Sequence, residues 1–204
     1  MIRAFLVWLQ TSLGKGPAPE DASWSEALLG SLNFWCLLEG SHLLMLMLFA
    51  GTIMVVDLRL LGVAFKRTPV SAVSDRILPL TVAGFLGMVV TGLLLFYAKP
   101  LFYYHNLWFR LKLVFLVAAM INIAVFHFRI QRTLPQWNTA AVPTTPARVS
   151  AALSLTAWVL IATMGRFIPY NWYECGKPLP AIVNTLQACA ASERGAVDLG
   201  GRRR

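Results

Sequence analysis

Four apolar runs, at about 32–56, 77–98, 107–128 and 149–168, constrain this chain more than anything else in it. Crossing a bilayer takes roughly 20 consecutive apolar residues, and each run reaches that length. With no water in the hydrocarbon, backbone N–H and C=O groups must bond within the segment, so each run is expected to be a helix. Of the 204 residues 57% are hydrophobic and only 13% charged, which excludes an ordinary soluble domain of this size. The net charge of +9 comes from basic residues scattered between the apolar runs. No basic patch interleaved with aromatics is present, so nucleic acid is excluded as a partner and the lipid bilayer takes its place. The fold class expected is an all-α integral membrane four-helix bundle.

Three regions follow. Residues 1–30 form an N-terminal interfacial segment whose helix sets Phe5, Trp8 and Leu9 on its apolar side. A Gly-, Pro- and Asp-containing stretch at 14–23 separates that helix from the bundle. The four spans occupy 31–171, and 172–204 is an extramembrane tail. The loop after the first span carries Arg59, Lys66, Arg67 and Arg76, and the loop after the third carries Arg129, Arg132 and Arg148. Pro135, Pro143 and Pro146 are expected to keep the latter loop free of helix. These basic loops mark the cytoplasmic side of a bacterial inner membrane, which places both termini in the periplasm. Cys175 and Cys189 would then share an oxidising compartment and could pair, whereas Cys36 sits alone in the first span.

Polar groups within the spans mark where function would reside. Glu39 and His42 are three residues apart, so they share one face of the first span. An ionisable group at such depth costs roughly 2.5 kcal/mol or more unless compensated, which makes it a functional-site candidate. With alternating spans, Glu39, His42, Arg110, Lys112 and Arg166 are expected to converge in the periplasmic half, with His105 and Tyr170 at the rim. Such a surplus of cations fits an anionic group, either haem propionates or a quinone headgroup. A second set, Asp57, Arg59, Asn122, His127 and Arg129, lies toward the other face. An interfacial network of salt bridges and snorkelling side chains is expected there, the alternative being a second ligand or a proton entry. Met45, Met47 and Met54 beside His42 would suit Cu(I), although methionine is also ordinary apolar filling. Gly84, Gly87 and Gly92, with Thr91, would let the second span approach a neighbour closely.

The residues also carry a resemblance. Glu39-Gly40-Ser41-His42, then Gly51, Asp57-Leu58-Arg59, Thr91-Gly92, Phe109-Arg110-Leu111-Lys112, Phe126-His127 and Gly165-Arg166 resemble an uncharacterised family of bacterial four-helix membrane proteins. More distantly, His42, Gly51, Arg59, Trp108 and Lys112-Leu113 are similar in layout to the copper-resistance D proteins and the membrane haem-dependent protoporphyrinogen oxidase. That second resemblance implies His42 as an axial ligand of haem b, with Lys112 at or near the second ligand position. The leading functional expectation is a b-type haem protein passing electrons in the membrane, with quinone as a possible partner. In that arrangement Glu39 would orient the imidazole, and Arg110 or Arg166 would hold propionates. The alternatives are an accessory subunit packed against other membrane protein subunits of a respiratory or photosynthetic complex, and a copper-handling protein. The aromatic stretch 102–109 would serve the accessory subunit as a docking surface.

Overall fold

In the computed structural model the described residues are 2–18, 21–171, 173 and 181–186; Cys175, Cys189 and most of the tail lie outside them. The helices are α1 (Ile2–Thr11), α2 (Trp24–Gly30), α3 (Leu32–Leu60), α4 (Val70–Ala98), α5 (Pro100–His105), α6 (Leu107–Val125), α7 (Leu134–Trp137), α8 (Thr145–Phe167) and α9 (Ala181–Leu186). Among the described residues there is no strand. Four helical stretches, Leu32–Leu60, Val70–Ala98, Leu107–Trp137 and Thr145–Tyr170, are long and apolar enough to cross a membrane. The protein is thus an all-α membrane protein built on a four-helix bundle.

Each span outruns its apolar stretch. Helix α3 continues through Leu58–Leu60, and α4 starts at Val70, seven residues before its apolar run. Polar side chains at a helix end do not interrupt the backbone ladder, so hydropathy alone underestimates the helix. Two of the prolines expected to block helix instead begin one. Pro135 occupies the first turn of α7, and Pro146 lies in the first turn of α8. At that position the missing N–H has no intrahelical partner to lose.

The chain forms two compact units. The first comprises Ser31–Leu95 and Phe115–Leu160 and contains most of all four spans. Within it α3 and α4 run antiparallel at close range. A Cβ on Gly84 would stand 2.8 Å from the backbone nitrogen of Phe49, and one on Gly87 would stand 2.5 Å from the Met45 sulfur. The expected small-residue approach is therefore present and is made against α3. Phe49 also meets Phe85, with ring centroids 5.4 Å apart, and Trp158 of α8 at 4.8 Å edge-on. Nearer the loops, Leu60, Val70, Trp137, Ala147 and Ala151 form a buried core. Helix α3 ends in a Schellman motif: Val63 N–H donates to Leu58 O and Gly62 N–H to Arg59 O, with Gly62 at φ +72°.

The second unit comprises the described residues of Met1–Gly30, Phe96–Val114 and Ile161–Arg204. It contains the expected N-terminal helix, on which Phe5 and Trp8 stack and stay exposed while Leu6 is buried. A capping box opens α2. Ser23 N–H donates to Glu26 Oε2 at 2.8 Å, and Glu26 N–H donates to Ser23 Oγ at 3.2 Å. The Ser23 backbone bond, then the Ser23 hydroxyl, holds the Glu26 carboxyl below its ordinary range. Fully buried Asn106 donates to Ile168 O at 3.0 Å and accepts from Phe109 N–H at 3.1 Å. In the aromatic stretch 102–109, Tyr103 and Phe109 stack with Phe96 inside this unit, and Phe102 is 45% exposed.

Candidate intramembrane histidine site

His42 sits ten residues into α3 and is partly buried against α4. Its Nδ1 lies 2.9 Å from Thr91 Oγ1. The single Thr91 hydroxyl proton is committed to Gly87 O one turn back, at 2.7 Å. Oγ1 therefore offers the imidazole a lone pair, and this hydrogen-bond pattern assigns the ring proton to Nδ1 and the basic lone pair to Nε2. Gly92 completes the seat: a Cβ there would lie 3.1 Å from His42 Cε1. The sequence showed Thr91 only as a small residue at a close-approach position. Its orienting role has no sequence signature, because a threonine in an apolar helix routinely bonds its own i−4 carbonyl.

Of the other expected site residues, Glu39 and His127 belong to the same unit as His42, and Arg110, Lys112 and Arg166 to the second unit. Glu39 is exposed, one turn before His42 on α3. Arg110 donates from Nε to Tyr104 O at 2.9 Å, with its guanidinium 4.9 Å from the Tyr104 ring centroid. Exposed Arg166 donates to the Tyr170 hydroxyl at 3.1 Å and also lies 4.9 Å from that ring's centroid. The Lys112 side chain runs past Gly165, where a Cβ would stand 3.5 Å from Nζ. His127 lies in a π-helical turn, Phe126–Ile130, exposed and paired with Gln131 Oε1 at 2.8 Å. It is not brought to His42. Asp57, fifteen positions on from His42 and roughly 22 Å along the axis, is level with Ser154 of α8. One turn before Ser154, Ser150 meets Asn122, and His127 lies beyond Asn122 on its helix. The two histidines cannot ligate one iron together. Met45 packs on Gly87, Met47 and Met54 are exposed, and no group of three or more His, Cys, Asp or Glu among the described residues could hold a metal ion.

The second polar set departs most from expectation. Asp57 is 5% exposed and Arg59 is fully buried, so neither snorkels. No salt bridge joins them. Arg59 donates from Nε to Thr68 O at 2.8 Å and from one terminal nitrogen to Ala140 O at 2.9 Å, mooring both loops to the end of α3. Asp57 Oδ2 is buried with no hydrogen-bond partner, and Ser154 is its polar neighbour. Asn122 and Ser150 satisfy each other: Nδ2 donates to Ser150 O and Ser150 Oγ to Asn122 Oδ1, both at 3.0 Å. Asp57, Asn122, Ser150 and Ser154 border a cavity of about 400 Å³ to which α3, α4, α6 and α8 all contribute.

No curated protein and no solved structure matches the chain, so neither the copper-resistance D proteins nor the protoporphyrinogen oxidase is among its relatives found by comparison. A family model does match, over residues 33–171, which takes in all four spans and both polar sets. The chain belongs to that family, a family of unknown function, DUF6644.

Proposed function

We propose that the protein is a membrane b-type haem protein that passes single electrons within the bilayer, with His42 as an axial ligand. The observation that carries this reading is the seat of His42 Nδ1, 2.9 Å from a Thr91 hydroxyl that is itself 2.7 Å from Gly87 O. An imidazole binds iron through an unprotonated nitrogen while its other nitrogen is held by an acceptor, and Thr91 is such an acceptor. The donor type therefore suits a haem iron, which His42 would hold through Nε2. Bound haem would supply one-electron chemistry at its iron. The chain's own part is to present Nε2, to fix the ring through Thr91, and to keep α3 and α4 close enough for that bond to persist. The proposal draws on the four-span unit alone, and His127 is not the second ligand. It retains a bacterial inner-membrane location with periplasmic termini: Lys66, Arg67, Arg76, Arg129, Arg132 and Arg148 are all exposed in the two connections or in the helical turns beside them, while buried Arg59 leaves the tally.

The test is the reduced-minus-oxidised optical spectrum of the purified protein beside His42→Ala. A b-type α band that vanishes in the variant is expected. A flat spectrum in intact, haem-supplemented protein refutes the reading.

Glu39 favours a second reading, that of an accessory subunit. A carboxylate exposed on the outer surface of a span must meet lipid unless another protein covers it. Photo-crosslinking from position 39 in native membranes should then yield one discrete heteromeric product, and crosslinks to lipid alone would exclude it.

A further inference from the structure

The cavity beside Asp57 is distinct from the His42 seat and has its own chemistry. At about 400 Å³ it is far larger than a water or an inorganic ion needs and matches a compact organic molecule. Its wall is mostly apolar, and Asp57 is the one ionisable residue among those lining it. The nearest arginine in sequence does not neutralise that carboxyl group, because Arg59 is committed to two loop carbonyls. Among the described residues no cation pairs with Asp57, and Oδ2 lacks any hydrogen bond. Asn122 and Ser150 close on each other and so ask little of an occupant. A ligand that suits this wall carries one positive polar end and is otherwise apolar.

Two further features agree. Phe49, Phe85 and Phe126 line the cavity, and aromatic faces attract an organic cation. Leu78 and Val82 of α4 and Met120 and Ile123 of α6 also line it while remaining 41–54% exposed, so the cavity opens on the lipid-facing surface of the spans. An occupant can enter sideways from the bilayer. We infer that this cavity binds a lipophilic organic monocation, a substituted ammonium with an aromatic or alkyl body, held by charge pairing with Asp57. A quinone fits less well, since it brings no positive charge to hold Asp57 in its ionised form. A quinol can donate a hydrogen bond but leaves the charge uncompensated.

The test is equilibrium binding of benzyltriethylammonium to the full-length protein in lipid nanodiscs, with its uncharged carbon isostere and ubiquinol as comparators. Saturable one-site binding of the cation alone is expected. Asp57→Asn should weaken it by at least about tenfold, the size of change that losing ~1.4 kcal/mol of pairing produces. Val82→Trp fills the lipid-side mouth without touching the carboxylate, and should also abolish binding while leaving thermal unfolding in place. Non-saturable partitioning equal in all variants overturns the inference. So does binding of ubiquinol or the neutral isostere in preference to the cation, or saturation by sodium ion alone. Each outcome reads independently of the haem spectrum.

Discussion

Replacing Thr91 by valine keeps the volume and removes the oxygen that accepts from His42 Nδ1 at 2.9 Å. The imidazole N–H is then left in a partly buried place without that acceptor. A buried donor stripped of its partner costs about 1–3 kcal/mol in water-soluble proteins. Within a bilayer the unfolded chain also finds partners, and measured interhelical bonds average about 0.6 kcal/mol with a maximum near 1.7. The Thr91 hydroxyl proton is donated only within its own helix, so its removal frees a Gly87 carbonyl that already has a helical partner. We therefore expect Thr91→Val to cost about 1 kcal/mol in mixed-micelle unfolding. The double-mutant cycle with His42→Ala should give a coupling of about 0.6–1.7 kcal/mol. Nitrogen-15 spectra of the histidine-labelled protein should show protonated Nδ1 and unprotonated Nε2 in the parent, and a tautomer mixture in Thr91→Val. A coupling within about 0.3 kcal/mol of zero, with nitrogen shifts unchanged, would refute the tautomer assignment and with it the main support for iron ligation.

Gly84→Leu should separate α3 from α4, because even a Cβ would press on the Phe49 backbone; a loss of about 1–3 kcal/mol in unfolding free energy is expected, with wild-type stability as the contrary result. Arg59→Leu leaves the Thr68 and Ala140 carbonyls without their charged donor and should cost about 2–4 kcal/mol. Arg59→Lys should restore little of it, since one ammonium does not reproduce the two-pronged reach, and limited proteolysis of residues 61–69 reports both. Glu26 titrates below its ordinary 4.5 in the folded chain, so its contribution is present above that value and is lost as pH falls through the lower folded value. Amide exchange at the start of α2 should accelerate over that acid range in the parent and show no such step in Glu26→Gln.

The spans were legible because their apolar side chains run without break, and the polar pairs at 39 and 42 stood out against them. What stayed hidden had physical causes. The last turn of α3 and the first two of α4 carry Asp57, Arg59, Asp75 and Arg76, which hydropathy reads as loop although the ladder of backbone bonds continues. Asp57 and Arg59 look like a surface pair two residues apart. Two residues on a helix face different ways, however, and the loop carbonyls of Thr68 and Ala140 reach Arg59 from distant sequence. His42 was visible as an anomaly, but its partner Thr91 was not, since nothing in a sequence marks which hydroxyl meets an imidazole 49 residues away. The cavity has no sequence signature beyond Asp57, for its wall is assembled from ordinary Phe, Leu, Val and Ser.

Arg59 also imposes an order on how the chain is made. Its bond to Ala140 joins residues 81 apart, so the first two spans are synthesised and inserted before that carbonyl exists. Until then the guanidinium lacks that acceptor, and a free guanidinium must stay in water or among lipid phosphates at the membrane surface. Once the third span and the connection after it are made, the same group can leave the surface and become an interior fastening. The residue is thus a latch that can close only after the chain has grown past Ala140.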